Sequence, residues 1–185
     1  MTTLILIDRD GVINHDSPAY VKTPEEWQPI PGALEAIAVL QKAGCTVAVC
    51  TNQAGIGRGL IRPEALSAIH DKLAECLARH GGHLDGLIFC PHHPDDGCQC
   101  RKPKPGMLLE MMARFRATPE QTWYVGDSVK DAEAADAAGC RFALVRSGNG
   151  REAEITLSRR AGLIVRDDLA SFADWLVEKM SCCRD

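Results

Sequence analysis

The chain has 185 residues, a formal net charge of −4 and 45% hydrophobic residues, which suits about one globular domain with its own core. The acidic balance argues against a general nucleic-acid or membrane-surface binder, and no apolar run approaches the roughly 20 residues of a membrane span. The N-terminus lacks a basic segment followed by an apolar stretch and a small-residue cleavage site, so no secretory signal is expected and the chain is read as cytoplasmic.

Leu4-Ile5-Leu6-Ile7 places four apolar residues in a row, the pattern of a strand buried on both faces of a parallel sheet. It runs into Asp8-Arg9-Asp10-Gly11-Val12, two aspartates one residue apart and a glycine that permits a sharp turn. Asn14 to Pro31 is turn-rich and contains Asp16, Tyr20 and Trp27. Pro31-Gly32 then opens a helical pattern through Leu34, Ile37, Ala38 and Leu40 that ends near Gly44. Thr46 to Cys50 is a second buried strand, followed by Thr51-Asn52-Gln53-Ala54-Gly55-Ile56-Gly57-Arg58-Gly59. Pro63 suits the first turn of a helix that carries Leu66, Ile69, Leu73 and Leu77 on one face. Leu87-Ile88-Phe89 is a third strand leading into a Cys/His-rich loop. Gly106 to Phe115 is helical, and Thr118-Pro119-Glu120 is a short capped turn. Trp123-Tyr124-Val125 is a fourth strand ending in Gly126-Asp127, followed by a helix through Ala132 to Ala138 and a fifth strand, Phe142 to Val145. Leu163-Ile164-Val165 is a sixth strand and Leu169 to Met180 a last helix, with Cys182-Cys183 as a frayed tail. This alternation predicts an α/β fold with a doubly wound, Rossmann-like parallel sheet, as one domain over residues 1–185.

In such a sheet, ligands bind just beyond the carboxyl ends of the strands, where several polar residues of this chain fall. Asp8 and Asp10 repel each other, so they call for a cation or a held proton. Thr51 offers a hydroxyl and nearby backbone N–H groups, which suit the oxygens of a phosphoryl group. Lys102 supplies a point positive charge, and Asp127 a hard oxygen ligand for magnesium. Each has an ordinary alternative: a solvated turn for the aspartate pair, a simple turn for Thr51, a surface lysine, a helix N-cap for Asp127. Their recurrence at one edge of one sheet favours the chemical reading.

The nine cysteines are an odd number, with no sign of export, and are expected reduced or metal-bound. Cys90, His92, Cys98 and Cys100 give three thiols and one imidazole within eleven residues, a soft set suited to structural zinc. His93 competes with His92, which is preferred because Cys-x-His mirrors the Cys-x-Cys spacing. A metal-free loop or a disulfide is the alternative. Four protein ligands leave no open position, so the metal at residues 90–100 would be structural, and it would aim the adjoining Arg101 and Lys102 at the phosphate. Cys45, Cys50, Cys76 and Cys140 sit in apolar settings and read as core.

Taken together, Asp8-Arg9-Asp10-Gly11-Val12, Thr51-Asn52, Lys102 and Gly126-Asp127-Ser128-Val129-Lys130-Asp131 resemble the haloacid dehalogenase superfamily of phosphohydrolases over nearly the whole chain. The resemblance implies that Asp8 is the nucleophile that forms an aspartyl-phosphate and Asp10 the proton donor and acceptor. It implies that Thr51 holds a phosphoryl oxygen and Lys102 offsets charge, with Mg²⁺ on Asp8, the Asp10 backbone carbonyl and Asp127. Asp131 would tether Lys102 or a metal-bound water, or else be a helix-surface aspartate. The zinc loop is similar to one shared by heptose-bisphosphate and histidinol-phosphate phosphatases. The runs Cys100 to Leu109 and Thr51 to Gly59 look more like the heptose enzymes.

That narrower resemblance implies hydrolysis of the C7 phosphate of D-glycero-D-manno-heptose 1,7-bisphosphate, with the β anomer favoured, in the supply of nucleotide-activated heptose for lipopolysaccharide. A histidinol-phosphate phosphatase is the alternative within the class, and a zinc-stabilised, non-catalytic binding module the alternative outside it. There is no room for a large cap domain between Asp8 and Thr51, so selectivity is expected from short loops. Asp16, Tyr20, Asn52, Gln53, Arg101 and Lys102 are the substrate-binding candidates, with Asp16 and Asn52 facing sugar hydroxyls and Arg101 the C1 phosphate. The role of Arg58 is left open. A monomer acting on a small sugar bisphosphate is expected, with no nucleic-acid or membrane partner.

Overall fold

The structure is a computed structural model that describes residues 3–182; Cys183 lies outside the described residues. Six strands form one parallel sheet in the order β3-β2-β1-β4-β5-β6. They are β1 Leu4–Ile7, β2 Thr46–Asn52, β3 Gly86–Cys90, β4 Thr122–Gly126, β5 Arg141–Val145 and β6 Ile164–Arg166. The helices are α1 Ala33–Lys42, α2 Ala54–Gly57, α3 Pro63–Arg79, α4 Gly106–Phe115, α5 Val129–Ala138, α6 Gly150–Leu157 and α7 Leu169–Cys182. The expected doubly wound sheet is what the chain forms.

The two faces of β1 explain the winding. Ile5 and Ile7 point into a core shared with α1, α3 and α7, whereas Leu4 and Leu6 point into one shared with α4 and α5. A strand with helices on both sides has no solvated face, so it reads as an unbroken apolar run. Successive crossovers carry the chain outward from β1 to β3, and then return it to the other side of β1 at β4. The winding therefore reverses between β1 and β4, the position at which open α/β sheets leave a crevice for ligands. Asp8 N donates to Val125 O at 2.9 Å, which sets the end of β1 directly beside the end of β4.

Between β1 and α1 the chain forms turns and isolated bridges only. Trp27 pins this segment to the core, where it is fully buried. Lys72 Nζ on α3 donates to Trp27 O at 3.0 Å and to Pro24 O at 2.5 Å, tying the same segment down from outside.

Two boundaries and two unassigned helices are the main departures from the sequence reading. Strand β2 continues through Thr51 and Asn52, so both residues are held in the ladder beside Phe89 and Cys90 rather than following the strand. Helix α7 continues through Cys182, so this residue belongs to the last helical turn and not to a frayed tail. Helix α6 has no strong sequence signature because only Gly150 and Ala153 are buried along it, too few to write an apolar stripe. Helix α2 is a single turn, below the length at which periodicity can be read.

The α7 face of the core is closed by an aromatic trio. Phe172 lies 5.9 Å from both Trp123 and Trp175, and Trp123 meets Trp175 edge-on at 5.4 Å. Phe172 is fully buried, so Phe172→Ala is expected to lower unfolding free energy by about 3–5 kcal/mol in urea titrations.

Candidate active site

The carboxyl ends of β1, β2 and β4 converge with the loop after β3 on one buried cation. Lys102 is 3% exposed. Its Nζ lies 2.9 Å from Asp8 Oδ2, 2.7 Å from Asp131 Oδ1 and 2.7 Å from the Tyr124 hydroxyl. Tyr124 OH also lies 3.0 Å from Asp131 Oδ1 and 3.2 Å from Cys50 O. Burial alone would favour the neutral amine, but Asp131 and Asp8 outweigh it and hold the Lys102 pKa above its usual range. Ser128 Oγ and N close on Asp131 Oδ2 at 2.6 and 3.1 Å, a capping box at the start of α5. Asp131 is therefore fully buried and tethers Lys102. Of the alternatives left open for it, the helix surface is ruled out.

Ligand oxygens of Asp8, Asp127 and Asp131 lie within 4.8 Å of one another. Burial first, with Asp131 and Asp127 repelling and Lys102 opposing, pushes Asp8 up from 3.8 to about 8. Burial and Asp131 likewise push Asp127 up to about 7, against the Asn149 N–H that donates to its Oδ2 at 2.8 Å. Carboxylates crowded in this way have the donor chemistry of a hard divalent cation site. Gly11 and Gly148 both have positive φ, and a Cβ on either would collide with the Asp127 carboxylate. The site's closeness depends on those two bare backbones.

Asp10 projects from the same strand end and is surrounded by donors. Arg9 Nη2 lies 2.9 Å from each of its oxygens, Asn14 Nδ2 is 2.9 Å from Oδ1, and Gln53 Nε2 is 2.8 Å from Oδ2. Gln53 Nε2 also donates to Thr51 Oγ1 at 3.0 Å, which links the second aspartate to the buried threonine. Asn52 exchanges two hydrogen bonds with the Lys102 backbone, N to Oδ1 at 3.1 Å and Nδ2 to O at 3.2 Å. One lone pair and one N–H of its amide stay uncommitted in that exchange.

Two adjoining clefts open over these residues. The first, ≈ 340 Å³, is floored by Asp8, Asp10, Thr51 and Asp127 and walled by Asp16, Tyr20 and Gln53. Asp16 is exposed and its Oδ2 lies 3.4 Å from Asn149 Nδ2. Tyr20 is half-buried with φ 66°, and it lines both clefts. The second, ≈ 510 Å³, is lined by Arg58, Arg101, Lys102, Lys104 and Lys130, with no acidic side chain from the described residues. Arg101 Nη1 is buried there without a hydrogen-bond partner, a donor left over for an anion.

The loop after β3 gathers its four expected ligands. Cys90 Sγ and Cys100 Sγ each lie 3.6 Å from Cys98 Sγ, and His92 Nδ1 is 3.5 Å from Cys90 Sγ and 3.2 Å from Cys100 Sγ. A tetrahedron with Zn–S bonds of about 2.3 Å has edges of roughly 3.8 Å, so the set fits zinc after slight expansion. Burial and the neighbouring thiols push Cys100 up to about 12, a repulsion that a bound cation would relieve. His93 is committed elsewhere, its Nδ1 accepting from Asp95 N at 3.3 Å to cap the short 3₁₀ turn Pro94–Asp96. Lys104 Nζ braces the loop through Gly97 O at 2.7 Å and Cys98 O at 2.8 Å.

Sequence reasoning missed Arg9, Asn14, Tyr124 and Asn149 as parts of this site. Tyr124 sits inside an apolar run and reads as core, and Asn149 lies in a stretch without periodicity. Arg9 carried the one available signal, a cation between two aspartates.

Comparison with known proteins agrees with this geometry. The HAD-hydrolase-like family matches residues 99–172. A D-glycero-beta-D-manno-heptose-1,7-bisphosphate 7-phosphatase of Pseudomonas putida is 49% identical over 94% of this chain and 99% of its own. The enzyme of the same name from Pseudomonas aeruginosa is 48% identical, over 95% and 98%. Among solved structures, the D,D-heptose 1,7-bisphosphate phosphatase of Bordetella bronchiseptica, complexed with magnesium and phosphate, superposes with a TM-score of 0.93 at 47% identity. That match covers 96% of this chain and 99% of the other. The Burkholderia thailandensis enzyme superposes with a TM-score of 0.75 at 39% identity, over 95% and 99%. With relatives this similar over nearly their full length, the chain belongs to the haloacid dehalogenase-like family of heptose-1,7-bisphosphate 7-phosphatases.

Proposed function

We propose that the chain is a Mg²⁺-dependent phosphatase that removes the C7 phosphate of D-glycero-β-D-manno-heptose 1,7-bisphosphate through an aspartyl-phosphate. The observation that carries this reading is the pairing of the two clefts. A nucleophile-bearing acidic floor lies beside a purely cationic pocket with an unpartnered Arg101 donor. A substrate with one phosphate over Asp8 and a second some distance away matches that charge pattern. Histidinol phosphate, with a single phosphate, would leave the second pocket without an anion.

In the first half-reaction an Asp8 oxygen bonds to phosphorus as the bond to the C7 oxygen breaks, and Asp10 gives its proton to that oxygen. In the second, Asp10 takes a proton from the attacking water, the Asp8–phosphorus bond breaks and inorganic phosphate leaves. Thr51 Oγ and neighbouring backbone N–H groups hold phosphoryl oxygens, and Lys102 balances the charge that passes onto Asp8. Mg²⁺ held by Asp8, the Asp10 carbonyl and Asp127 would supply charge neutralisation and alignment. Arg101 and Lys102 face the distal and reacting phosphates, with Asp16, Tyr20, Asn52 and Gln53 walling the sugar. Zinc on Cys90, His92, Cys98 and Cys100 is structural. We take residues 1–185 as one phosphatase domain with its zinc loop at 90–100, acting as a cytoplasmic monomer; no helix among the described residues is long and apolar enough to cross a membrane.

Phosphate release in the presence of Mg²⁺ is expected to favour the β bisphosphate over the α anomer and histidinol phosphate by about 10²-fold or more in kcat/KM, roughly 2.7 kcal/mol. If histidinol phosphate is preferred, the substrate assignment fails while the Asp8 chemistry stands. Asp8→Asn is expected to abolish turnover with the fold intact by circular dichroism, and an active variant would rule out the covalent route.

The raised carboxyls make a second test. Between the unfolded value near 3.8 and the folded values of about 8 for Asp8 and about 7 for Asp127, the native state holds more protons than the unfolded chain. Stability contributed by these two groups in the metal-free protein is therefore expected to fall as pH rises from about 4 to about 8. Saturating Mg²⁺ should remove that decline in thermal melts, because the cation takes the place of the protons.

A further inference from the structure

Arg9 stands between the two aspartates of β1's carboxyl end, where strand alternation would send its side chain to the opposite face from both. Its guanidinium is instead turned back onto Asp10 and is 1% exposed. Nε lies 3.1 Å from Asp10 Oδ1, and Nη2 lies 2.9 Å from Oδ1 and from Oδ2. The far end of the same fork, Nη1, reaches Nε2 of His70 on α3 at 3.2 Å.

A guanidinium has donors only, so His70 accepts through Nε2 and carries its proton on Nδ1. Burial, and then the Arg9 charge, push this imidazole down to about 4, which keeps it a neutral acceptor. Its ring is held against Phe89 at a centroid distance of 5.7 Å. A buried guanidinium is tolerated only when its donors are filled, and here His70 fills one side and Asp10 the other. On the far side of Asp10, Gln53 ties Oδ2 to Thr51. The result is a continuous chain of contacts, His70 to Arg9 to Asp10 to Gln53 to Thr51, running from α3 to the phosphoryl cradle.

We propose that Arg9, braced by His70, is the positioning residue for Asp10. The fork sets the plane of the acid/base carboxylate so that Oδ2, the oxygen tied toward Thr51, faces the reacting oxygen in both half-reactions. The inference rests on the phosphatase reading above. Arg9 and His70 act through Asp10 and not on substrate, so their effect belongs to proton transfer and not to attack by Asp8.

Leaving-group dependence separates these roles. A sugar alkoxide needs a proton from Asp10 to depart, whereas 4-nitrophenolate leaves without one. Arg9→Lys keeps the charge and loses the fork. In single-turnover experiments it is expected to slow phosphoenzyme formation from the bisphosphate by about 10–100-fold, within the range of general acid–base contributions. Formation from 4-nitrophenyl phosphate should stay within about threefold of wild type. Phosphoenzyme hydrolysis, which uses Asp10 as base, should also slow, so 4-nitrophenyl phosphate should show a larger burst of nitrophenolate than the wild type gives.

His70→Leu removes the acceptor and should give the same pattern in weaker form. His70→Gln, which restores an acceptor for Nη1, should return most of the lost rate with KM unchanged. Equal slowing with both leaving groups would make Arg9 a scaffold for Asp8 and overturn the proposal, as would no slowing with either, or His70→Gln no better than His70→Leu. Wild-type turnover tests the substrate reading separately. If the wild type prefers another alkyl phosphate, that ester replaces the bisphosphate and the comparison of variants decides on Arg9 unchanged.

Discussion

The site is organised around one buried ammonium group. Lys102 Nζ is held by Asp8, Asp131 and the Tyr124 hydroxyl at 2.7–2.9 Å, away from water. Asp8 and Asp131 both offset its charge, so losing either would weaken that compensation in a low-dielectric setting, and losing the Tyr124 hydroxyl would leave one ammonium donor unfilled. The elements that supply those partners are therefore locked together: β1 through Asp8, β4 through Tyr124, α5 through Asp131. The lysine arrives from none of the elements it joins. It hangs from the loop after β3, and the amide of Asn52 on β2 holds its backbone from both sides. On the function proposed above, a phosphoryl group entering the cleft would meet a cation whose position has been fixed in advance, the condition under which electrostatic stabilisation needs no reorganisation.

The same ammonium accounts for the imbalance of charge around it. One cation serves a cluster of carboxylates that includes Asp127, and burial lifts Asp8 and Asp127 well above ordinary carboxyl values. This deficit of positive charge is the physical reason for a divalent cation in the site. The bare backbones of Gly11 and Gly148 press against Asp127, so the carboxylate has no room to swing out into solvent and relieve the repulsion. Crowding and the need for a cation follow from one packing decision.

Most of the sheet is legible in the sequence because doubly covered strands are unbroken apolar runs, and each run stops abruptly at a polar residue. Asp8, Thr51 and Asp127 stand at those stops, which is why they could be picked out with no structure in hand. The cysteine spacing was equally readable, since a tetrahedral soft site needs its ligands close in sequence or in a tight turn. What the sequence did not disclose are partners that meet only after the chain is wound. Tyr124 is written into an apolar strand, and its hydroxyl acquires meaning only when Lys102 is brought beneath it from a distant loop. Asp131 falls on a helix start, where an N3 carboxylate is ordinary, so the sequence could name Lys102 only as one alternative beside a surface position, and its burial and the 2.7 Å contact decide for the lysine. Helix α6 lacked a signal because two buried small residues suffice to seat it.

The absence of a cap in the β1–α1 segment places the burden of precision on loops, which are ordinarily the most mobile parts of a domain. The loop that delivers Arg101 and Lys102 is constrained at several points along its length. Gly57 N donates to Pro91 O at 2.8 Å, and a Cβ at Gly57 would collide with the backbone of the Pro91–His93 segment, so α2 lies flush against the start of the loop. Lys104 closes the loop's other end onto Gly97 and Cys98. Of the Cys90, His92, Cys98 and Cys100 cluster, Cys90 ends β3 and the other three lie between these two fastenings, with Cys100 two residues from Lys102. A cation bound there would shorten the span of chain free to move to Arg101 alone, the residue whose donor still lacks a partner. On the function proposed above, rigidity at Lys102 would serve the chemistry, which must not vary with substrate, while the unpartnered Arg101 donor beside it would be left to recognise what the substrate carries.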